Sequence, residues 1–181
     1  MILGPIAILL SWLMFGYVFY TMRHLRHPTF SKLAASAKQT YLLFAVCLSV
    51  SGILIYIFML KWFINEFALP TLFTVLATLA ITVQFVTAWV PDTKGWKHRL
   101  HHEAAWTEAW LLMPMALLIS ASPNISILIQ AWCALVILIM LFLVLSSYKI
   151  TNESRFVYYQ AAYIMCFHII ILTTTFSRVV D

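Results

Sequence analysis

Residues 124–147 read NISILIQAWCALVILIMLFLVLSS, without a single charged side chain. An apolar run of about 20 residues is long enough to cross the hydrocarbon core of a bilayer as an α-helix. Five further runs of similar length occur along the chain, so the sequence predicts an all-α fold, a polytopic transmembrane bundle of six helices. The predicted helices are about 2–22, 41–61, 70–90, 103–121, 124–147 and 156–176.

The composition excludes a soluble protein. The chain of 181 residues is 64% hydrophobic and 9% charged, whereas soluble domains carry about 25% charged residues. The six runs fill most of the chain, so we expect residues 1–181 to form a single integral membrane domain. The first run lacks a positively charged start and a small-residue cleavage site, and we therefore interpret it as a spanning helix rather than a signal peptide.

The positive charges predict an orientation. Of the 11 Lys and Arg residues, all but Lys61 and Arg178 follow the first, third or fifth predicted helix. Loops rich in Lys and Arg stay in the cytoplasm, so we expect both termini on the extracytoplasmic side of a plasma (inner) membrane. Anionic lipid headgroups on the cytoplasmic side account for the net charge of +5, and nucleic acid is not an expected partner.

Polar residues concentrate in the segment 91–103, PDTKGWKHRLHHE, which holds three of the six histidines. If a helix continues from it, His98, His101 and Glu108 share one face. That face leads from the cytoplasmic mouth into the bundle. Ionisable side chains within the hydrocarbon region are costly and mark functional sites, which singles out Glu108 and, near the middle of the last helix, His168.

The spacing of His98, His101 and His102 also looks like one histidine box of the membrane fatty-acid desaturases and hydroxylases. Imidazoles at these positions share a helix face and suit zinc or iron. His24 and His27 resemble part of a second box, but a third box is absent, which disfavours a di-iron site. A metal-dependent membrane enzyme with a His-x-x-His-His site stays an alternative.

A second resemblance rests on Val90-Pro91-Asp92, Gly95 and the run Leu100-His101-His102-Glu103-Ala104-Ala105. These residues are similar to a motif of a six-helix bacterial membrane protein family that carries a domain of unknown function and is distantly akin to the DRAM-like membrane proteins. Pro91, Asp92 and His101 are the matched positions. The resemblance implies a six-helix fold without assigning a reaction, and its relatives are associated with lipid organisation and membrane trafficking.

The favoured hypothesis is a non-enzymatic protein that binds lipid or a small solute in a cytoplasm-facing polar pocket between the third, fourth and sixth predicted helices. In it, Asp92 orients His101, and Arg99 contacts anionic headgroups. The residues expected to bind are Asp92, Arg99, His101, Glu108, Gln84, Gln160 and His168.

A proton-coupled transporter or channel that uses Glu108 and His168 is the other alternative. A homo-oligomer is compatible with the sequence. Between the first two predicted helices, we expect part of 23–40 to form an interfacial helix with Leu25, Phe30 and Leu33 towards lipid.

Overall fold

The computed structural model describes residues 2–22, 29–148 and 156–178, and within these ranges all regular structure is helical. Helix α3 continues past Phe58 through a π-helical turn and a last α-helical turn without a break. The helices are α1 Leu3–Met22, α2 Phe30–Ala35, α3 Lys38–Phe58 with its continuation Met59–Phe63 and Ile64–Glu66, α4 Thr71–Trp89, α5 Trp96–Ser120, α6 Ile127–Ser147 and α7 Phe156–Ser177.

Five of these helices are long and apolar enough to cross a membrane, which confirms the prediction of a multi-pass membrane protein at this level. They are Leu3–Thr21, Lys38–Glu66, Thr71–Trp89, Ile127–Ser147 and Phe156–Ser177. The remaining long helix, α5, has 25 residues, but the charged side chains of Lys97, Arg99, Glu103 and Glu108 make it more polar than the others.

Two helices extend beyond their predicted bounds. Helix α3 runs on to Glu66 because no Gly or Pro interrupts it before Pro70. Helix α5 begins at Trp96 instead of 103, directly after Gly95, whose φ of 72° lies in the left-handed region. Glycine adopts this conformation without a steric penalty, so the chain turns at Gly95. The polar residues from Trp96 onwards therefore belong to the helix.

The long helices form a ring in chain order. Each packs against the next, from α1 and α3 round to α6 and α7, and α7 returns to α1. The contact between α7 and α1 is the least extensive in the ring, and α2 lies across α1 and α3. Short connections between antiparallel helices favour this neighbour-to-neighbour arrangement.

Helix α2 covers the basic end of the bundle, which we define by residues 29–38, 90–96 and 148. Its Phe30 and Leu33 are only 4% and 2% exposed and pack with Met14, Val18 and Phe44. The prediction that Phe30 and Leu33 face lipid is therefore wrong. Their apolar surface is removed from both water and lipid by packing on α1 and α3. Leu25 lies outside the described residues.

The opposite end, defined by residues 66–70, 121–126 and 178, is closed by polar contacts over an aromatic core. The Ser122 hydroxyl donates to the Phe67 carbonyl at 2.5 Å, the Asn124 amide donates to the Glu66 carbonyl at 3.0 Å, and Arg178 Nε lies 3.2 Å from Glu66 Oε1. Beneath them, fully buried side chains fill the space between the helices: Phe58, Phe63, Phe67, Phe73, Met115 and Ile119.

Candidate functional site

A cavity of ≈ 200 Å³ lies inside the ring and is lined by residues from every helix, α1 to α7. It reaches the surface at the basic end, where its lining includes the exposed residue His102. Its wall is largely apolar, with a few polar side chains that converge on the interior. Apolar walls with a small number of placed polar groups are typical of ligand-binding pockets.

Six of the seven residues expected to bind line this one cavity, although they lie on different elements. The exception is Arg99, which is exposed on α5 and does not line it. The six are Gln84, Asp92, His101, Glu108, Gln160 and His168. The polar pocket predicted between the third, fourth and sixth spans corresponds to the space enclosed by α4, α5 and α7, and the cavity extends beyond it to the other helices.

Glu108 is the acidic side chain inside the cavity. It projects from α5 towards α4, where the Thr87 hydroxyl lies 3.4 Å from Glu108 Oε2. This separation is at the weak end of the hydrogen-bond range. Thr87 also donates to the Gln84 carbonyl of its own helix at 2.8 Å, so it has a shorter alternative. The carboxylate is therefore held only loosely by the described part of the protein.

His168 lies deep in the same cavity and is 7% exposed. The indole N–H of Trp12 donates to His168 Nδ1, with 2.9 Å between the nitrogens. Since Nδ1 accepts, the ring proton of the neutral imidazole is on Nε2. Sequence reasoning missed Trp12. A tryptophan in the middle of an apolar helix, far from the interfacial belts where this residue usually lies, was the available signal.

Three further side chains shape the walls. The Tyr163 hydroxyl donates to the Ala109 carbonyl at 2.5 Å. The Gln84 amide donates to the Leu48 carbonyl at 3.1 Å, and the Gln160 carbonyl oxygen accepts from the Phe30 backbone N–H at 3.4 Å. These bonds tie α5 to α7, α4 to α3, and α2 to α7 around the cavity.

At the mouth, Asp92 contacts His98 rather than His101. His98 Nδ1 is 2.5 Å from Asp92 Oδ1, and the Thr29 hydroxyl is 3.4 Å from Asp92 Oδ2. His101 Nδ1 instead donates to the Val90 carbonyl at 2.7 Å. The expectation that Asp92 orients His101 is not met by a hydrogen bond, because the Val90 carbonyl accepts from the ring instead. His101 lies in the second turn of α5, close to Val90 at the end of α4, where the carbonyl group accepts from it.

His101 is 4% exposed and lies at the start of α5, before the predicted span. Burial lowers the pKa of its imidazole below the ordinary value of 6.5, and the bond to Val90 and the nearby Asp92 carboxylate oppose that effect only in part. The neutral ring donates from Nδ1 and carries a lone pair on Nε2.

The histidines of the His-x-x-His-His segment do not converge. His98 turns to Asp92 and His101 to Val90, whereas His102 Nε2 accepts from the Trp106 indole at 3.1 Å. In the ranges that the structure describes, no group of three His, Cys, Asp or Glu side chains has a geometry that could hold a metal ion. His24 and His27 lie outside those ranges.

Comparisons with family models, with curated proteins and with solved structures give no match to this chain.

Proposed function

We propose that this integral membrane protein binds a small solute in the cavity between its helices and that the solute enters at the basic end. The observation that carries the proposal is the convergence of polar side chains from separate helices on one enclosed space. Gln84 from α4, Glu108 from α5, and Gln160 and His168 from α7 all line it. Packing alone does not require such convergence, because buried polar groups cost free energy unless they are paired.

The volume limits the size of the solute. A cavity of about 150 Å³ is large enough for benzene, whereas sites for drug-sized ligands occupy about 300–1,000 Å³. The cavity of ≈ 200 Å³ therefore fits a molecule a little larger than benzene, or one end of a longer amphiphile.

The proposal includes a topology. Helix α5 packs along α4 and α6 as a member of the ring, and we infer that its part from residue 103 onwards is the sixth span, with both termini on the extracytoplasmic side. Two single-cysteine variants in a cysteine-free background test this, Lys94→Cys at the basic end and Asn124→Cys at the opposite end. A membrane-impermeant thiol reagent should label Asn124→Cys in intact cells and label Lys94→Cys only after permeabilisation. The reverse pattern would contradict the topology.

Native mass spectrometry of the full-length protein in detergent tests the binding site itself. Ala105 lines the cavity, and Ala105→Trp should fill it, whereas Ala134 is exposed on α6 away from the cavity. We expect a small co-purified adduct on the wild type and on Ala134→Trp, and its loss from Ala105→Trp. An adduct that survives in Ala105→Trp, or a wild type without one, would contradict the proposal.

Anionic lipid is proposed at the rim rather than inside. Arg99 and Lys97 are exposed on the first turns of α5, next to Trp96, which is 67% exposed and whose ring centre lies 5.9 Å from Lys97 Nζ. Exposed basic residues beside an interfacial tryptophan suit headgroup contact. Arg99→Ala should reduce bound anionic lipid and leave the small adduct in place. Unchanged lipid binding would contradict this part of the proposal.

Proton-coupled transport is a second candidate, because Glu108 and His168 line the same cavity. The cavity does not continue to Gln130, whose amide donates to the Ser122 and Ile125 carbonyls at the closed end. Transport would therefore require that the contact between Glu66 and Arg178 opens. Glu108→Gln should abolish solute-driven proton flux in liposomes, and unchanged flux would exclude the relay.

A further inference from the structure

We propose that the solute is a small organic cation carrying an ammonium group, and that the Glu108 carboxylate is its counter-ion. This inference rests on the proposed function and adds to it the chemical class of the ligand. It is carried by the charges and the hydrogen-bonding groups that the cavity presents.

Within the ranges that the structure describes, the formally charged side chains of the lining are acidic. Among the described residues that line the cavity there are two carboxylates, Asp92 and Glu108, and no Lys or Arg. Asp92 already has partners for both oxygens, His98 and the Thr29 hydroxyl. The wall therefore disfavours an anion and leaves Glu108 as the group with unused capacity.

Glu108 is partly exposed to the cavity and has few partners. Its Oε2 has the long contact to Thr87, and its Oε1 has no hydrogen bond or ion pair within the part of the chain that the structure describes. An ionised carboxylate offers about four acceptor positions, and the described residues fill one of them. An ammonium group supplies both the opposite charge and several N–H donors, which gives charge-assisted hydrogen bonds.

Aromatic side chains of α7 line the same cavity. Tyr163 donates to the carbonyl of Ala109, the residue after Glu108, and Tyr159 and Phe167 also line the cavity. The face of an aromatic ring attracts a cation, more strongly when water is excluded. Aromatic rings in the wall therefore add to the preference for a cation over a neutral molecule of the same shape.

His168 supplies a second contact of a different kind. Because Trp12 occupies Nδ1, the Nε2–H on the other side of the ring is a donor, and no described residue accepts from it. A polar side chain 93% buried against an open cavity, with an unused donor, fits an acceptor atom on the ligand. A hydroxyl, ether or carbonyl oxygen on the cation would meet this requirement.

The experiment compares three probes that share one ring and differ in charge: benzylammonium, benzyl alcohol and benzoate. Each is added to the full-length protein in detergent at neutral pH, and the rise in the midpoint of thermal unfolding gives the affinity by mass action. We expect benzylammonium to stabilise the wild type and benzoate to have no effect. Benzyl alcohol should bind more weakly than benzylammonium.

Matched variants assign the effect to Glu108. Truncating one partner of a buried charge pair lowers the affinity by about thirtyfold or more. We expect a loss of this size in the affinity of Glu108→Gln for benzylammonium. Glu103→Gln is the control, because Glu103 is exposed on the same helix and does not line the cavity. Glu108→Asp keeps the charge, and it should retain benzylammonium binding and serve as the informative variant if Glu108→Gln does not fold.

The outcomes separate the ligand class from the binding function. One outcome is that benzyl alcohol binds as well as benzylammonium, that Glu108→Gln has no effect, and that Ala105→Trp blocks both probes. The cavity would then bind solutes, but the preference for a cation would be wrong. Binding of benzoate inside the cavity would likewise overturn the cation. If no probe binds, the cation inference fails, while the adduct comparison between Ala105→Trp and Ala134→Trp still decides the proposed function.

Discussion

Trp12 on α1 donates its indole N–H to Nδ1 of His168 on α7, with 2.9 Å between the nitrogens. The bond crosses the contact between α1 and α7, the least extensive one in the ring. It joins residues 156 positions apart in the chain. The same bond joins the two helices that close the ring and fixes which nitrogen of His168 carries the proton, so it affects both stability and the chemistry of the cavity.

Trp12→Phe should therefore destabilise the protein. Hydrogen bonds between helices in a membrane contribute about 0.6 kcal/mol on average and up to about 1.7 kcal/mol, and the smaller ring adds a packing loss. Trp132→Phe is the matched control, since Trp132 is 43% exposed on α6. The measurement is the free energy of unfolding in mixed micelles. Equal losses for the two variants would show that the bond to His168 adds no stability.

Gly52 on α3 leaves room for the Ile81 and Gln84 side chains of α4 beside the cavity. A Cβ atom at this position would lie 2.6 Å from Ile81 Cδ1 and 3.0 Å from Gln84 Nε2, the atom that donates to the Leu48 carbonyl. Both side chains would have to move, and the bond between Gln84 and Leu48 would be strained.

Relative to Gly16→Ala, Gly52→Ala should lower the free energy of unfolding by about 1 kcal/mol, the low end of the usual cost of overpacking, because both side chains can shift. Gly16→Ala is the control, because a Cβ at Gly16 meets nothing within 4 Å. Alanine is the better helix former by about 1 kcal/mol at both positions, so Gly16→Ala should be neutral or stabilising. If the two variants had the same stability, the contacts of Gly52 with Ile81 and Gln84 would not matter.

Asp92 connects the loop between α4 and α5 to the start of α2. Its Oδ2 lies 3.4 Å from the Thr29 hydroxyl, and Thr29 also accepts from the Lys32 backbone N–H at 3.1 Å as the N-cap of α2. Asp92→Ala should loosen α2. A loss of about 1 kcal/mol per hydrogen bond corresponds to roughly fivefold faster amide exchange over Phe30–Ala35.

Hydrogen exchange followed by mass spectrometry measures this effect. Thr93→Ala, at an exposed neighbouring position, is the control and should leave the exchange of α2 unchanged. Wild-type exchange rates over Phe30–Ala35 in the Asp92→Ala variant would mean that the apolar packing of Phe30 and Leu33 holds α2 in place without Asp92.

The sequence predicts the five candidate spans because each requires only a continuous apolar run. Contacts with neighbouring elements instead determine where the helices end and which face of α2 is turned towards the bundle. An isolated amphipathic segment is equally compatible with a lipid surface and with the end of a bundle. Phe30 and Leu33 face the bundle because α1 and α3 leave an apolar surface there. The sequence of 29–36 carries no information about that surface.

The candidate site was predictable where one helix supplies the residues. His101 and Glu108 share a face of α5, and both line the cavity. His98 shares the same spacing but turns to Asp92, because the first turn of the helix lies at the mouth, beyond the walls. The contact between Trp12 and His168 depends on how the ring closes, and no local pattern encodes it.

His101 gives the protein a pH-dependent stability. Burial lowers the pKa of the folded-state imidazole below 6.5, so the unfolded chain takes up a proton at pH values at which folded His101 is still neutral. The unfolded state then binds more protons, and stability rises with pH in that range. The contribution is constant above about pH 6.5 and becomes unfavourable as the pH falls from there towards the lowered folded-state pKa.

His101→Gln tests this origin, because glutamine can still donate to the Val90 carbonyl but has no proton to gain near neutral pH. Between about pH 8 and about pH 5, the midpoint of thermal unfolding of the wild type should fall on the acid side, and that of His101→Gln should fall less. His102→Gln, at an exposed position on the same helix, should keep the wild-type profile. If the acid-side decrease were the same in all three proteins, groups other than His101 would account for it.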